Sequence, residues 1–323
     1  MKVAWVIGSG GLLGSALCKA LQRQGTGLFF PVEPFSWNDP ENLGRQLDLA
    51  VRSFAADVGP AGQWQIYWAA GVGTMGSSAS ALQAETDAFQ SLLSHVAANP
   101  LLTGVPGALA LASSAGAIYA GASDAVVTEH TAAQPTTAYA QAKLDQEGLL
   151  QSFAASMPVV SALAARISTL YGPAHSPGKP QGLIAHIARS ILRNRPVQIY
   201  VPYDTIRDYI TADDAAAAIV ETLQQMSGTA CFEIRIIASE LPATIAEIVS
   251  IFKRIAGRPA RIATGRNRLT GLYPRRVQFR SLVGCGAMRR RTSLVVGIAQ
   301  VLAAERAAFV RCASPPVEGG TPG

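Results

Sequence analysis

Nowhere in its 323 residues does the sequence hold an apolar run long enough to span a bilayer, which takes roughly 18 or more uninterrupted apolar residues as a helix. The apolar beginning looks superficially like a secretory leader, but Gly8, Ser9, Gly10 and Gly11 and then Lys19 interrupt it. Cysteine is scarce. Cys18, Cys231, Cys285 and Cys312 show no CxxC spacing and no neighbouring histidine, which argues against a zinc site and a disulfide framework and leaves thiols of a reducing compartment. His95, His130, His175 and His186 have no mutual ligand spacing either, so no metal is assigned. Basic residues are thinly spread until a cluster around Arg275, Arg276, Arg280 and Arg289 to Arg291. A formal charge of +6 so distributed suits an anionic small ligand or a solvated basic face better than a nucleic-acid groove, which calls for stacking aromatics among the basic residues. A cytoplasmic enzyme with no nucleic-acid or membrane partner is the simplest consequence.

Apolar residues make up 49% of the chain, enough to bury a large core as one sizeable α/β domain or a large and a small one. Val3 to Ile7 is a short apolar run that ends in glycines, and Leu12, Leu13, Ala16, Leu17, Ala20 and Leu21 then recur at helical spacing. This is strand, tight turn, helix. A second strand is expected at Leu28 to Val32 and a helix from Pro40 to Ala56, with Pro40 suited to the first turn. Further strands are expected at Gln65 to Ala70, Ala108 to Ala112 and Val159 to Ala164, separated by helices at Ala79 to Ala98 and Ala138 to Ala155. Apolar strands alternating with helices imply a doubly wound parallel sheet of the Rossmann type, covered on both faces.

From Gly172 the pattern loosens around Pro173, Pro177 and Pro180. A helix from Leu183 to Arg193, an isolated strand at Val197 to Val201 and a helix from Asp213 to Gln225 suit a smaller lobe that faces the substrate. The expected division is a dinucleotide-binding domain at 1–171, a mainly substrate-binding lobe at 172–313 with some elements returning to the first domain, and a disordered tail from Ser314 to Gly323. There is no internal repeat.

Gly8, Gly11 and Gly14 form a GxxGxxG spacing at the first strand-to-helix turn. Glycine there permits a tight turn and a close backbone approach to a pyrophosphate, whose charge is favoured by the helix N-terminus. Glu33 follows the second strand, where an acid would hold the adenine ribose hydroxyls, although it also reads as a solvated carboxylate between two prolines. No Arg or Lys lies between Phe29 and Leu43 to meet a 2′-phosphate, so NAD is favoured over NADP.

Tyr139 and Lys143 stand four residues apart in a helical stretch and so share a face. A tyrosine, with an ordinary pKa of about 10, is a poor base at neutral pH unless a nearby cation favours its phenolate. Lys143 can supply that cation. A hydroxyl at the end of a preceding strand would orient a substrate oxygen, and Ser113-Ser114 lies there.

These features together resemble the extended short-chain dehydrogenase/reductase family, the NAD-dependent epimerases, dehydratases and reductases that act mainly on nucleotide sugars. The resemblance runs nearly end to end. It rests on Gly8 to Gly14, on Trp68-Ala69-Ala70-Gly71 as the fourth-strand segment, on Ser113-Ser114 with Ile118-Tyr119, and on Tyr139-Ala140-Gln141-Ala142-Lys143. Arg166 with Tyr171-Gly172-Pro173, and Arg207-Asp208-Tyr209-Ile210 with Asp213, complete it.

The resemblance implies Tyr139 as acid/base, Lys143 as ribose anchor and phenolate stabiliser, and Ser114 as the orienting hydroxyl. It places cofactor contacts at Gly8, Gly11, Leu12, Leu13, Gly14, Glu33, Ala69, Ala70 and Gly71 and substrate contacts at Thr169 and Arg207, the last on a phosphate. Counting back from Tyr139 selects Ser114, whereas aligning on Ile118-Tyr119 puts Ala115 in that place; Ser114 is taken, with Ser113 in reserve. Ala115, Gly116 and Ala117 stand where the family's dehydratases resemble Thr-Asp-Glu, which disfavours dehydration. Thr169 replaces a frequent asparagine, and Ser36 an expected aspartate near the adenine. The short stretch before Asp39 is similar to that of the family's sugar-nucleotide reductases. The function implied is an NAD-dependent epimerase of a nucleotide-linked sugar, with a reductase or dehydrogenase as an alternative, a non-catalytic dinucleotide-binding protein as a third reading, and a homodimer as the assembly. Trp64 and Trp68 read as packing groups flanking the fourth strand, and Asp124 and Glu129 as loop acids or substrate contacts.

Overall fold

The run from Val3 to Ile7 forms a strand, β1 (Lys2–Ile7), because all five of these apolar residues can be buried at once, on both faces of a sheet. The structure is a computed structural model and describes residues 2–71, 73–74, 76–173, 182–226, 228–265, 276–283 and 291–313. The expected tail from Ser314 to Gly323, the segment with His175, Pro177 and Pro180, and Arg275, Cys285, Arg289 and Arg290 lie outside the described residues, as does the side chain of Cys312.

After β1 come α1 (Leu12–Arg23), β2 (Gly27–Phe29), α2 (Pro40–Val58), β3 (Gln63–Trp68), α3 (Ala79–Ala97) and a short α4 (Pro100–Thr103). Then follow β4 (Gly107–Ser114), a short α5 (Ala115–Ile118), α6 (Ala138–Ser156), β5 (Val160–Ile167), β6 (Thr169–Tyr171) and α7 (Gly182–Leu192). The last part holds β7 (Val197–Ile199), β8 (Ile206–Thr211), α8 (Ala212–Met226), β9 (Cys231–Ile237) and β10 (Pro242–Thr244). It ends with α9 (Ile245–Ala256), β11 (Ile262–Thr264) and α10 (Leu294–Ala313).

The main sheet has the order β2-β1-β3-β4-β5-β9, and every pair in it is parallel. One face is covered by α2, α3 and α6, through Phe54, Phe89, Leu92, Leu150 and Phe153 packed with Trp5 and Trp68. The other is covered by α1 and α8, through Leu17, Leu21, Ile219 and Leu223. Fully burying one such leucine contributes roughly 1.5–3 kcal/mol, so the two layers hold the sheet from both sides. The fold is therefore the doubly wound parallel α/β arrangement expected.

Helix starts follow local chemistry. Asp39 accepts from Asn42 N at 3.2 Å and Pro40 occupies the first turn of α2. Thr137 accepts from Ala140 N at 3.2 Å to start α6, which sets the position of Tyr139 in its first turn. Thr244 and Glu247 form a capping box for α9, which ends at the left-handed Gly257.

Several expectations need correction. β2 stops at Phe29 rather than reaching Val32: Pro31 has no N–H for a ladder, and Val32 is 97% exposed. The segment with Trp64 and Trp68 is the third strand, not the fourth, because no helix or strand forms between Phe29 and Pro40. Both tryptophans lie within it and are buried, with Trp64 Nε1 donating to the Leu102 carbonyl at 3.0 Å. β7 is shorter than expected and is not isolated, since β11 pairs with it in parallel.

Beyond Gly172 the chain serves two cores. Both α8 and β9 return to the main sheet, whereas α7, α9 and α10 build a separate core with Tyr171, Ile187, Tyr209, Ile248, Phe252 and Ile298. A small sheet, β10-β8-β6, carries Tyr171 and Tyr209 to that core from the end of β5.

Candidate active site

The carboxyl ends of β1, β3 and β4 open on one edge of the sheet, where a doubly wound fold places its ligands. After β1 the chain turns at Gly8, whose φ of +90° favours glycine. A Cβ there would lie 2.6 Å from Ala70 N and 2.7 Å from the Ala69 carbonyl. At Gly14 it would lie 2.1 Å from the Gly8 oxygen, so this residue fixes how closely α1 packs on the turn. Gly11 is different. It is exposed at the N-cap of α1, and a Cβ there would meet only the Gly8 oxygen, at 3.3 Å.

No side chain caps α1, so the first N–H groups of the helix and its positive dipole end are left for an external partner, as a diphosphate requires. Leu12 is half-buried beside this turn, while the Leu13 side chain sits in the core and leaves only its backbone to face a ligand. Ala69 and Ala70 are half-buried and lie against Gly8, and Gly71 is exposed with φ of +145°. Glu33 is exposed in the loop after β2. Ser36 holds that loop to α2: its N–H donates to Gln46 Oε1 at 2.8 Å, and its hydroxyl accepts from Asn42 Nδ2 at 2.9 Å.

Tyr139 and Lys143 occupy successive turns of α6, a helix that packs against α3, β4 and β5. The Lys143 ammonium lies 5.9 Å from the centroid of the Tyr139 ring. Tyr139 is half-buried and Lys143 is 7% exposed. Nζ donates to Gln146 Oε1 at 3.0 Å, and Gln146 Nε2 donates to Thr86 Oγ1 at 3.4 Å. Burial pushes the lysine below its ordinary 10.5, while the carboxylates of Glu85 and Glu147 pull it back up.

The two serines at the end of β4 differ. Ser113 is buried, and its hydroxyl donates to Glu147 Oε1 at 2.6 Å. Ser114 is half-buried and does not cap α5, which leaves it the better candidate to meet a substrate oxygen. Ala115 is buried against Ile118, Tyr119 and Phe279.

Below the pair lies a buried ionic network absent from the expected site. Arg166 Nε reaches Glu147 Oε1 at 3.0 Å and Nη2 reaches Oε2 at 2.6 Å, a paired geometry, while Nη1 donates to the Tyr119 hydroxyl at 2.5 Å. Glu147 was legible in one respect, since it follows Lys143 by four residues and so shares its helix face.

Thr169 pairs with Tyr209, so these two side chains and that of Arg207, two residues earlier on β8, point to one side of the small sheet. Arg207 is half-buried, and its Nη1 donates to the Ile206 carbonyl at 2.8 Å. Asp208 points the other way, buried, accepting from Ser168 Oγ at 2.6 Å and from Ser239 N at 2.8 Å and Oγ at 3.0 Å. Glu129 is a structural acid: it accepts from Ser281 Oγ at 2.6 Å, Leu282 N at 2.9 Å and Ile236 N at 3.0 Å. Asp213 is exposed in the first turn of α8, and its neighbour Asp214 accepts from Thr292 N at 2.8 Å. Among the described residues no cluster of His, Cys, Asp or Glu is grouped to hold a metal ion, and no helix is long and apolar enough to cross a membrane.

Residues 4–235 match the profile of the NAD dependent epimerase/dehydratase family. Over 96 residues the chain is 29% identical to a dTDP-L-rhamnose 4-epimerase of Burkholderia thailandensis, a match that covers 29% of this chain and 26% of that protein. The match thus spans about a quarter of the relative's length. Among solved structures the chain is similar to MoeE5 in complex with UDP-glucose and NAD, at a TM-score of 0.75 and 21% identity over 96% of this chain and 100% of that one. It is also similar to the UDP-glucose 4-epimerase of Thermus thermophilus in complex with NAD, at a TM-score of 0.73 and 20% identity over 95% of this chain and 100% of that one. At these identities the likeness establishes the fold.

Proposed function

The chain belongs to the NAD dependent epimerase/dehydratase family, and we propose that it is an NAD-dependent epimerase of a nucleotide-linked sugar, acting by transient oxidation and re-reduction of one sugar carbon. The observation that carries this reading is the Lys143 ammonium 5.9 Å from the Tyr139 ring centroid, at the same edge of the sheet as the uncapped start of α1. A binding protein without chemistry has no use for that pair.

The residues present fit NAD. The turn from Gly8 to Gly14, packed too closely for a Cβ at Gly8 or Gly14 and leaving the start of α1 without a side-chain cap, suits its diphosphate, with Leu12, Leu13, Ala69, Ala70 and Gly71 around it and Glu33 for the adenine ribose. When bound, NAD supplies reversible hydride transfer at the sugar carbon. Tyr139 takes the proton from the reacting hydroxyl as that carbon is oxidised and returns it on re-reduction. Ser114 holds the same oxygen. Lys143 donates to the nicotinamide ribose, and its charge favours the tyrosine phenolate, more effectively for being buried. Arg207 contacts a phosphate of the substrate and Thr169 lies beside it. Residues 1–171 serve as the cofactor-binding domain and most of 172–313 as the substrate-binding lobe, in a cytoplasmic homodimer; sedimentation at several concentrations tests the assembly.

The test is incubation of the protein and NAD with UDP- and dTDP-linked hexoses, with products separated and reduced cofactor followed by absorbance. An epimerase forms product without net reduced cofactor. The loop from Phe30 to Asp39, which holds no helix, favours a sugar-nucleotide reductase as the second reading, and stoichiometric consumption of reduced cofactor would establish that instead. Tyr139→Phe keeps the ring but deletes the atom that exchanges the proton, so turnover should fall roughly 100-fold or more while NAD binding survives. Near-normal turnover would remove the mechanism.

A further inference from the structure

Two carboxylates, Glu147 and Glu85, act on Lys143, and they are held differently. Glu147 is held by Arg166 at 2.6 Å and by the Ser113 hydroxyl at 2.6 Å. The other, Glu85, comes from α3 and is half-buried. Its Oε1 accepts from Gly73 N at 2.6 Å. Its Oε2 lies so close to the loop after β3 that a Cβ on either Gly71 or Gly73 would come within 3.0 Å of it. The next residue, Thr86, bonds to Gln146, which itself accepts from Lys143. The same turn of α3 therefore touches the loop on one side and the lysine's hydrogen-bonded partner on the other.

We infer that Glu85 is a positioning residue of this site, whose carboxylate fixes the loop after β3 and serves as counter-charge to the Lys143 ammonium. The inference rests on the role proposed for Lys143. Burial works against the charged form of this lysine, and the pull of Glu85 opposes that more strongly than the pull of Glu147 does. The other polar groups around it are Tyr139, Gln146 and Glu147 on α6 and Thr86 on α3, with Ser113 on β4 and Arg166 on β5 acting through Glu147. A single carboxylate thus ties the geometry of the loop assigned to the cofactor to the charge of the residue that governs the tyrosine. A neutral acceptor could fix the loop equally well. Only an anion does both.

Glu85→Gln separates the two roles, because the amide keeps an oxygen for Gly73 N and loses the charge. The direct measurement is a pH titration of protein carrying carbon-13 at the lysine ε position, free of NAD and sugar. With five lysines in the chain, Lys2, Lys19, Lys143, Lys179 and Lys253, the Lys143 signal is assigned by its loss in Lys143→Arg. In Glu85→Gln the Lys143 midpoint should move down by about one pH unit or more, the scale expected when a neighbouring opposite charge is removed. Glu85→Ser, which removes charge and volume together, should move it the same way, and Glu85→Asp should leave it near the wild-type value. In the rate profile of a cognate substrate both limbs should shift to lower pH, since loss of an anion favours the phenolate and disfavours the ammonium. A folded Glu85→Gln or Glu85→Ser whose Lys143 midpoint stays within a few tenths of a unit of wild type overturns the inference. Failure to turn over any nucleotide sugar would overturn the proposed function instead and leave the titration intact.

Discussion

Replacing Arg166 by methionine removes the guanidinium from a carboxylate that has almost no contact with water. Glu147 is 4% exposed and Arg166 5%, and the pair is joined by contacts of 2.6 Å and 3.0 Å. Without the arginine, Glu147 keeps the Ser113 hydroxyl at 2.6 Å and the attraction of the Lys143 ammonium, and the Tyr119 hydroxyl loses the donor that reaches it at 2.5 Å. Breaking a buried pair from one side costs about 3–5 kcal/mol, because the remaining charge stays desolvated without its hydrogen-bonded partner. At roughly 2 °C per kcal/mol for a chain of this size the melting temperature should fall by roughly 6–10 °C. Methionine at both 166 and 147 should recover much of that loss, since apolar groups of similar volume need no partner and the desolvation of two charges disappears with them. Urea denaturation of wild type, both single variants and the double variant closes the cycle, with the slope m checked for constancy. A loss below about 1 kcal/mol for Arg166→Met, the range of exposed pairs, would refute the argument, as would a double variant less stable than the sum of the singles.

Three further outcomes follow from the same geometry. Ser113→Ala should lower stability with a modest effect on rate, whereas Ser114→Ala should spare stability and lower turnover; urea midpoints and steady-state rates on both variants would contradict the assignment if the two effects were exchanged. Gly14→Ala places a methyl 2.1 Å from the Gly8 oxygen and should destabilise the whole domain, while Gly11→Val should leave a folded protein with weakened NAD affinity in calorimetry, and unchanged affinity would remove the loop from the cofactor site. Burial works against the charged form of Glu129, but hydrogen bonds from Ser281, Leu282 and Ile236 prevail and hold its carboxyl below the ordinary 4.5. Its contribution to stability is therefore present above about pH 4.5 and is lost as pH falls through the lower folded value, so Glu129→Gln should flatten the acid side of the stability profile, and an unaltered profile would count against it.

How much of this was legible in the sequence depended on the distance over which each feature is decided. The alternation from β1 to β5 could be read because each element announces itself locally, as with the five apolar residues of β1 and the proline at the start of α2. β2 was overextended because the apolar run continues to Val32, while the pairing with β1 ends at Phe29 opposite Trp5, just before Pro31, which has no N–H to add to the ladder. A late element such as α9 carries local signals that went unread, with Thr244 and Glu247 in a capping box and Ile245, Ile248 and Phe252 on one face. The elements after Gln225 were not assigned from the sequence at all, and their destination was hidden as well, since β9 joins the main sheet beside β5, across some seventy residues, and nothing within Cys231 to Ile237 specifies that neighbour.

The site divides in the same way. Tyr139 and Lys143 share a helix face by spacing alone, so their pairing needed no tertiary knowledge. Ser113 and Ser114 are adjacent on a strand and point to opposite sides, and the sequence does not say which side meets α6. The partner of Ser113 shows its side, because Glu147 on α6 takes that hydroxyl, and this is why Ser114 is the serine proposed for the substrate. Glu147 in turn is matched by Arg166, nineteen residues away on β5, and the charge of Glu85 acts on Lys143 from a third element. The residues proposed to touch the substrate can thus be named from local spacing, while the partners proposed to set their charge become visible only when α3, α6 and β5 are packed together.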